Sequence, residues 1–476
     1  MSNGVPPQKA RLALLLQIIA FLILPLALIA DEMTPTVRVG LIQNLGRLTS
    51  LTLTSTGEFQ IKDTSGWSID VKAGDNVAIS LKPPEIQISV NGTEATPPKP
   101  PVRLVPANQD QTFEILSPNV RYSRYRGVLE ISSRNHLVIV NELDLEHYLY
   151  GVLPVEIPAT FQTEAQKALA VAARTYVLRN SLRHKADGYD VCDSVHCQGF
   201  CGASREFDWV RKAVDDTRGQ VLVFDGELIH ACYSADCGGA TMNGEDYSPS
   251  ARLPYLRSVA DNPSGKASPV ALPDAPAKND PRRAPASPWL QTPDGGKENQ
   301  VSRDSENETN ADCNPPGQQD QPQDYCAGSP CHEWVITYEP QELAVRLKPW
   351  DAKIGNFKSM EFVEYDASDR VKSVLLKGEK GECRITGSQL REALGANKMK
   401  STRAVMSVSP EGCIVIRGKG YGHGLGMCLY GAEGLARSKE SITYVDILKH
   451  YYTGVEIKSI SDIANQFVRA STSKQP

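Results

Sequence analysis

Hydrophobic and polar residues alternate along the first third of the chain. Between residues 36 and 145 the alternation recurs in short runs separated by Gly, Asn and Asp, such as VRVGLI, LTLTST, VAISL, EIQISV and HLVIVNEL. Successive side chains of a β-strand point to opposite faces, so a period of two indicates half-buried strands. The pattern therefore predicts an all-β region over residues 36–145.

The period becomes helical between Gln162 and Leu182, where Ala165, Leu169, Ala172 and Tyr176 share one face. Alternating runs return at residues 220–232 and again in WVITYEP, EFVEYD, RVKSVLLKG and CIVIRG, whereas SQLREALG and YVDILKHYY predict short helices. Together these patterns predict an α+β fold, in which β-rich mixed domains and a few helices surround a cleft.

Residues 262–331 carry no periodic pattern and are dense in Pro, Asp, Asn and Gln, which predicts a disordered or loosely tethered insertion. A chain of 476 residues is too long for one ordinary core. The predicted organisation begins with a leader or anchor (1–30) and a β-rich region (36–145). A second region follows in two parts (146–261 and 332–457), with the insertion (262–331) between them and a tail (458–476) after them.

The charge balance narrows the class of partner, and the N-terminus indicates the compartment. With 51 basic and 56 acidic residues the net charge is −5, so there is no electrostatic footprint for nucleic acid. Lys9 and Arg11 precede an uncharged run from Leu12 to Ala30, as in a secretory signal peptide. The run of 19 residues also suits an uncleaved membrane anchor, and both alternatives place the remaining chain outside the cytoplasm.

Export changes the interpretation of the 11 cysteines, because thiols outside the cytoplasm can pair. In HKADGYDVCDSVHCQ, His184, Cys192, His196 and Cys197 are candidate ligands of a tetrahedral zinc ion. A Cys192–Cys197 disulfide is the alternative, and no cofactor is required by the remaining pattern. Three further cysteines are expected to staple the insertion: Cys313, Cys326 and Cys331.

Six glycines surround one Tyr-Gly-His in RGKGYGHGLGMCLYGAEGLA, residues 417–436. Alternate glycines disfavour a packed helix or strand, but they allow positive φ and close approach to the backbone. The stretch is therefore predicted to be a shaped loop that presents His423 to a ligand.

Five separated motifs occur in an order that resembles one family. They are GVLPVEIPATFQTEAQKALAVAARTYVL, ACYSADCGGAT, ITGSQLREALG, MKST, and the glycine-rich stretch followed by ILKHYYTGVEI. The chain resembles the family of stage II sporulation protein D and the amidase enhancer LytB over roughly residues 36–457, without the insertion.

The resemblance implies an exported protein of the cell envelope that acts on peptidoglycan, either as a lytic transglycosylase of denuded glycan strands or as a non-catalytic glycan-binding enhancer of a cell-wall amidase. It implies that Glu156 is the catalytic acid/base and that some members bind zinc near Cys192. We expect substrate contacts from Arg174, Tyr176, Ser234, Cys237, Tyr421 and His423. Because Arg174 and Tyr176 are two residues apart on a helix, one should face the cleft and the other the core.

The residues around Glu156 support the same role. Apolar neighbours and the flanking Pro154 and Pro158 predict a partly buried carboxyl in a turn before the helix, and burial raises a carboxyl pKa toward the value that a general acid needs. The local sequence alone also fits an ordinary carboxylate near a helix start. The sequence departs from the family pattern twice, with Phe161-Gln162 in place of Trp-Pro and Cys428-Leu429 in place of Ser-Gln. If Cys428 and Leu429 touch the glycan, the loss of two polar side chains is expected to alter affinity or specificity.

Overall fold

The computed structural model describes residues 35–463 except 84, 96–97, 118–119, 266–269 and 271–323. The predicted leader, the predicted tail beyond residue 463 and Cys313 lie outside the described residues. The chain forms two compact units, residues 149–459 in one and the described residues 35–148 and 460–463 in the other. Within the described part of the chain, no helix is both long and apolar enough to span a bilayer.

The first unit is built from antiparallel strands, as the alternating pattern predicts. One sheet has the order β1-β12-β11-β8-β3-β4 and the other the order β10-β9-β2-β5-β6-β7. In β2, for example, Leu51 and Leu53 are buried while the threonines between them are partly exposed. The strands are β1 Thr36–Gly40, β2 Ser50–Ser55, β3 Phe59–Lys62, β4 Ser68–Val71, β5 Val77–Lys82, β6 Glu85–Val90, β7 Thr93–Glu94, β8 Val102–Pro106, β9 Thr112–Ile115, β10 Arg124–Arg126, β11 Val128–Ser133 and β12 Leu137–Asp144.

The second unit combines helices with small sheets, which confirms the predicted α+β class. Its predicted long helix spans Thr163–Arg179 and is buried along most of its length. The helices of the described chain are α1 Leu145–Glu156, α2 Thr163–Arg179, α3 Asp208–Asp215, α4 Gly244–Tyr247, α5 Pro340–Arg346, α6 Asp351–Ile354, α7 Gly387–Leu394, α8 Leu429–Ser438 and α9 Tyr444–Tyr451.

Four short sheets accompany these helices: β15-β14-β24, β16-β23, β17-β22-β21 and β18-β19-β20. Only β16 and β23 in this set run parallel, and they join the ACYSADCGGAT motif to the glycine-rich motif. The strands are β13 Val191–Cys192, β14 Gln220–Phe224, β15 Glu227–Leu228, β16 Tyr233–Ser234, β17 Glu333–Tyr338, β18 Phe357–Tyr365, β19 Val371–Gly378, β20 Glu382–Thr386, β21 Ala404–Val408, β22 Ile414–Lys419, β23 Met427–Cys428 and β24 Glu456–Ser459.

The prediction of one continuous loop over residues 417–436 is wrong at both ends. Arg417 to Lys419 belong to β22, and residues 429–438 form α8. Two positions of α8 require glycine because other groups approach the helix backbone closely. A Cβ at Gly431 would lie 2.3 Å from Asp261 Oδ2, and one at Gly434 would lie 2.0 Å from the Tyr325 carbonyl oxygen. The loop is therefore confined to residues 420–426, where four glycines have positive φ: Gly420, Gly422, Gly424 and Gly426.

The end of the predicted insertion is also part of the fold. Tyr325–Gly328 forms a 3₁₀ turn that packs on α8, and Cys326 is fully buried. The Tyr325 N–H donates to the Asp261 carbonyl at 2.7 Å, so the two borders of the segment meet. The absence of periodicity assigns residues 324–331 to the insertion, and this prediction is wrong. A short irregular segment can be buried through hydrogen bonds and thiols instead of a repeating apolar face.

Candidate active site and metal centre

Glu156 is the last residue of α1, not part of a turn before a helix. Five apolar residues with helical spacing are buried along α1 and fix the helix: Leu145, Tyr148, Leu149, Val152 and Leu153. Pro154 has no N–H group and therefore removes one intrahelical hydrogen bond. The helix still continues to Glu156, because Pro154 lies in its last turn. The apolar spacing from Leu145 was the signal in the sequence for this helix.

The carboxyl group of Glu156 is held by one backbone donor in an apolar surrounding. Gly199 N–H donates to Glu156 Oε1 at 2.9 Å. Burial raises the pKa of Glu156 to about 7, although the hydrogen bond from Gly199 favours the carboxylate and opposes the shift. The group can therefore carry a proton at neutral pH and also release it, as a general acid/base must.

Two glycines allow the segment around Gly199 to lie against α1. A Cβ at Gly199 would lie 2.5 Å from Val155 Cγ1, and one at Gly151 would lie 2.5 Å from the Phe200 ring. The segment is fixed further on, where Cys201 N–H donates to the Gly151 carbonyl oxygen at 3.0 Å. The sequence did not single out Gly199, because QGFCG carries no distinctive pattern.

The four candidate metal ligands predicted from the sequence come together near Gly199. One ligand atom from each of His184, Cys192, His196 and Cys197 lies within 4.8 Å of the others. Cys197 Sγ is 3.4 Å from His184 Nε2 and 3.5 Å from His196 Nδ1, and Cys192 Sγ is 3.7 Å from His196 Nδ1. With metal–sulfur and metal–nitrogen bonds of zinc length, neighbouring ligands of a tetrahedron are about 3.5 Å apart, so the donor set fits zinc.

The outer contacts of this cluster differ between its two histidines. Asp187 Oδ2 lies 3.4 Å from His184 Nδ1, which leaves His184 Nε2 directed at the thiols, as in a carboxylate–histidine–metal arrangement. Arg183 Nη2 lies 3.2 Å from His196 Nε2. When Nδ1 of His196 binds a metal, Nε2 of His196 carries the proton and is a hydrogen-bond donor, as Arg183 Nη2 always is. Two donors cannot bond to each other, so metal binding requires the Arg183 side chain to move away.

His423 lies in the glycine loop and its ring nitrogens hold that loop. Leu425 N–H donates to His423 Nδ1 at 2.9 Å, and the imidazole also hydrogen-bonds to the backbone of Tyr233. Burial, together with the positive charges of Arg391 and Arg370, lowers the pKa of His423 to about 4. The imidazole is therefore neutral at physiological pH and orients the loop more directly than it transfers protons.

An aromatic surface surrounds this loop. The ring of Tyr247 lies 5.9 Å from that of His423 and is 56% exposed. Tyr421 donates from its hydroxyl to Asn397 Oδ1 at 3.0 Å, and the Lys400 ammonium lies 5.4 Å from its ring centroid. Sequence reasoning identified Tyr421 but not Tyr247, since EDYSPS carries no motif.

A chain of contacts leads from the glycine loop to Glu156. His423 contacts the Tyr233 backbone, and Gln198 Nε2 donates to the Tyr233 hydroxyl at 2.9 Å. Gln198 directly precedes Gly199, whose N–H binds Glu156. The two motifs that are most distant in sequence are thus joined through β16.

The structure does not support three of the predicted substrate contacts, because the side chains are buried in the protein. Arg174 is fully buried and donates to the carbonyl oxygens of Val214 and Gln220. It is the residue of the Arg174–Tyr176 pair that faces the core. Ser234 Oγ accepts a hydrogen bond from Gly424 N–H at 3.2 Å and supports the loop from behind. Cys237 is also fully buried.

Tyr176 is the half-buried member of its pair. Its hydroxyl accepts a hydrogen bond from Arg183 Nη1 at 2.8 Å, and its ring lies 6.3 Å from that of Tyr233. Burial raises the pKa of Tyr176 to about 12. It therefore lies between the metal-ligand cluster and β16, where its role in substrate contact stays a prediction.

Comparison with known proteins shows the family of the chain. The family model of stage II sporulation protein, SpoIID, matches residues 133–224, which include Glu156, Gly199 and the metal-ligand cluster. An uncharacterized protein of Brachyspira hyodysenteriae is 30% identical over 345 residues, which are 72% of this chain and 74% of that protein. The chain belongs to the SpoIID family.

Two further relatives are similar to this SpoIID-family chain over about two thirds of the chain's length. Stage II sporulation protein D of Bacillus amyloliquefaciens is 27% identical over 69% of the chain and 78% of that protein. The amidase enhancer of Bacillus subtilis is 30% identical over 65% of the chain, but the match covers only 40% of the enhancer.

Of the two departures from the SpoIID pattern, Cys428-Leu429 lies inside the protein, whereas in the other Phe161 is buried and Gln162 is exposed. Cys428 and Leu429 are buried, and Cys428 Sγ accepts a hydrogen bond from Gly431 N–H at the start of α8. Phe161 packs its ring against Tyr430 at 5.1 Å. Contact of Cys428 and Leu429 with the glycan, which was the condition for an altered affinity, is therefore not supported by their buried positions.

Proposed function

We propose that the protein is a lytic transglycosylase that cleaves glycan strands of peptidoglycan, with Glu156 as general acid and base. The observation that carries the proposal is the carboxyl group of Glu156, whose pKa of about 7 results from burial and whose position is fixed by Gly199 N–H. Family membership is consistent with a role in the cell wall.

A lytic transglycosylase needs one proton carrier and no water as reactant. Protonated Glu156 gives its proton to the glycosidic oxygen as the bond from the anomeric carbon to that oxygen breaks. The resulting carboxylate then takes the proton of the 6-hydroxyl of the same sugar, whose oxygen bonds to the anomeric carbon. The products are a 1,6-anhydro end and a free hydroxyl on the leaving strand, and Glu156 regains its proton.

The loop with His423, Tyr421 and Tyr247 is proposed to bind the sugars. Aromatic rings present apolar faces that stack on sugar rings while their hydroxyl groups reach polar partners. Tyr247 is more than half exposed beside neutral His423, which suits contact with an uncharged portion of the glycan.

Zinc at His184, Cys192, His196 and Cys197 is proposed to stabilise the site structurally. All four ligands come from the protein, as in closed structural sites. Cys197 is two residues before Gly199, so an ion at this place would fix the segment that supplies the donor to Glu156.

The protein is proposed to act in the cell envelope. The basic residues and the uncharged run from Leu12 to Ala30 support export, as a cleaved leader or as an anchor. Glycan strands of peptidoglycan lie in the same compartment, so location and proposed substrate agree.

A second candidate function is the enhancement of a cell-wall amidase without glycan cleavage. The similarity to the amidase enhancer of Bacillus subtilis favours it, although the match covers only 40% of that relative. The same aromatic surface would then bind glycan, and a partner amidase would perform the reaction.

The products formed from denuded glycan separate the two functions. We expect mass spectrometry to find strands with 1,6-anhydro ends, each one water lighter than a hydrolytic product, after incubation with purified protein alone. Unchanged strands, together with faster stem-peptide release by an added cell-wall amidase, would support the enhancer function and contradict the transglycosylase proposal.

A further inference from the structure

A second group of metal-ligand side chains lies in the interior of the unit that contains Glu156. One ligand atom from each of Cys237, Asp261, Cys326 and Cys428 lies within 4.8 Å of the others. All four residues are completely buried, at 0% exposure. Neither the proposed reaction nor the predicted zinc cluster at Cys192 uses any of them.

The distances in this group match neighbouring ligands around one ion. Cys237 Sγ is 3.9 Å from Cys326 Sγ, and 3.2 Å from Asp261 Oδ2. With zinc–sulfur bonds of about 2.3 Å, two thiolates of a tetrahedron are about 3.8 Å apart. The sulfurs of a disulfide would be only about 2 Å apart. A Cys237–Cys326 disulfide would also leave Cys428 and Asp261 buried beside it without a metal ion to bind.

Backbone donors around the group suit thiolates. Cys428 Sγ accepts hydrogen bonds from Cys237 N–H at 3.1 Å and from Gly431 N–H at 3.2 Å. Cys428 is also the N-cap of α8, where the helix dipole favours negative charge. Hydrogen bonds of this kind stabilise the negative charge of a metal-bound thiolate and orient it.

Asp261 is similarly prepared as a ligand. The Tyr451 hydroxyl donates to Asp261 Oδ1, which leaves Oδ2 facing the thiol of Cys237. The absence of a side chain at Gly431 makes this position accessible, since a Cβ there would come 2.3 Å from Oδ2. A buried anion of this kind needs a compensating cation or proton, because isolated buried charge is costly.

We propose that Cys237, Asp261, Cys326 and Cys428 form a second, closed zinc site. A set of three thiolates and one carboxylate suits tetrahedral zinc, and complete burial without an open position is characteristic of a structural site. The ligands come from four separate segments, so the ion joins the ACYSADCGGAT motif, both borders of the 262–331 segment and the start of α8.

The metal content of purified full-length protein tests this site. The first cluster is removed by Cys192→Ser with Cys197→Ser, so that any remaining zinc reports on the second. We expect one zinc per chain in this variant by elemental mass spectrometry, and close to none when Cys428→Ser is added, because Cys428 belongs to this group alone whereas Cys326 also lies beside Asp236 and His332. Adding Cys413→Ser instead is the matched control, because Cys413 belongs to neither cluster and is only half-buried; it should retain the zinc.

Cobalt substitution keeps the test decisive if the triple variant does not fold. Protein with the Cys192→Ser and Cys197→Ser changes, loaded with Co²⁺, should show the intense absorption bands of tetrahedral thiolate coordination. A protein of that background without zinc or these bands would overturn the proposal, as would peptide mapping that finds a Cys237–Cys326 disulfide. Zinc retained after Cys428→Ser would also contradict the assignment.

Discussion

The N–H group of Gly199 donates a hydrogen bond of 2.9 Å to Oε1 of Glu156, across 43 positions of sequence. The contact depends on a bare Cα at position 199, because a Cβ would come within 2.5 Å of Val155 Cγ1 and 3.4 Å of Glu156 Oε1. The carboxyl group is thus positioned by a residue that offers only its backbone.

Gly199→Ala should therefore damage activity more than stability. The added methyl group would lie 2.5 Å from Val155 Cγ1, so either Val155, the neighbour of Glu156, or the segment that carries the Gly199 N–H must shift. Misplacement of a reacting group by about 1 Å costs on the order of 100-fold in rate. Turnover of denuded glycan and the thermal midpoint of unfolding would be measured together. Gly328→Ala is the matched control, since a Cβ there meets nothing within 4 Å and should leave both unchanged; equal turnover in the two variants would contradict the positioning role.

The rate of glycan cleavage should fall with rising pH above about 7. The proton that Glu156 donates is lost as pH passes its pKa of about 7, so the rate should drop about tenfold per pH unit beyond that point. Initial rates from pH 5 to 9 measure the profile. A carboxyl acid with an ordinary pKa would instead lose activity already from about pH 4.5 upward.

The same shift predicts a pH-dependent stability difference for Glu156→Gln. The folded-state pKa of about 7 lies above the ordinary value of 4.5, so the native state binds more protons in that interval and wild-type stability falls as pH rises from 4.5 through 7. At pH 8 the variant should be more stable by about 1–3 kcal/mol, since each pKa unit corresponds to about 1.4 kcal/mol and residual solvent contact reduces it. Urea unfolding at pH 8 and at pH 4 measures this; an equal difference at both would remove the burial explanation.

Tyr247→Ala should weaken glycan binding with little loss of stability. The ring is 56% exposed beside His423, so truncation removes few packing contacts but one stacking surface. An aromatic contact of about 0.5–1.5 kcal/mol corresponds to a roughly 2- to 10-fold increase in KM. Tyr247→Phe keeps the ring and should restore KM; an unchanged KM in Tyr247→Ala would place the substrate elsewhere.

Replacing residues 266–323 by a short Gly-Ser linker should preserve fold and activity. Asn262 Nδ2 donates to Asp324 Oδ1 at 3.2 Å, so the two borders of this segment are already adjacent. Deletion through residue 331 should unfold the protein, because it removes Cys326 and the turn Tyr325–Gly328 that packs on α8. Circular dichroism melts of both proteins test this, and similar melts would contradict a structural role for residues 324–331.

The strands and the long helices could be predicted from periodicity because each buries a regular face. Leu51 and Leu53 alternate in β2. The buried residues from Leu145 to Leu153 have helical spacing in α1 as well, although the prediction placed Glu156 in a turn before a helix. The glycine-rich α8 and the turn at Tyr325 could not, since their burial depends on close approach at Gly431 and Gly434.

The site was predictable in part, for a related reason. Glu156 was predicted from the family resemblance, and the candidate ligands of the first metal cluster were predicted from closely spaced Cys and His residues. Arg174 and Ser234 carry equally suggestive side chains, but only the fold reveals that backbone groups occupy them. Cys237 and Cys326 are 89 positions apart, and no local pattern predicts that they meet.

Cleavage of denuded glycan by Glu156→Gln tests the central claim most directly. The amide keeps the shape of the side chain and can still accept the hydrogen bond from Gly199 N–H, but it cannot transfer the proton. At a pH where wild type and variant are equally folded, we predict that mass spectrometry finds 1,6-anhydro ends only with the wild-type protein. Formation of these ends by Glu156→Gln at the wild-type rate would contradict the assignment of Glu156 as the acid/base.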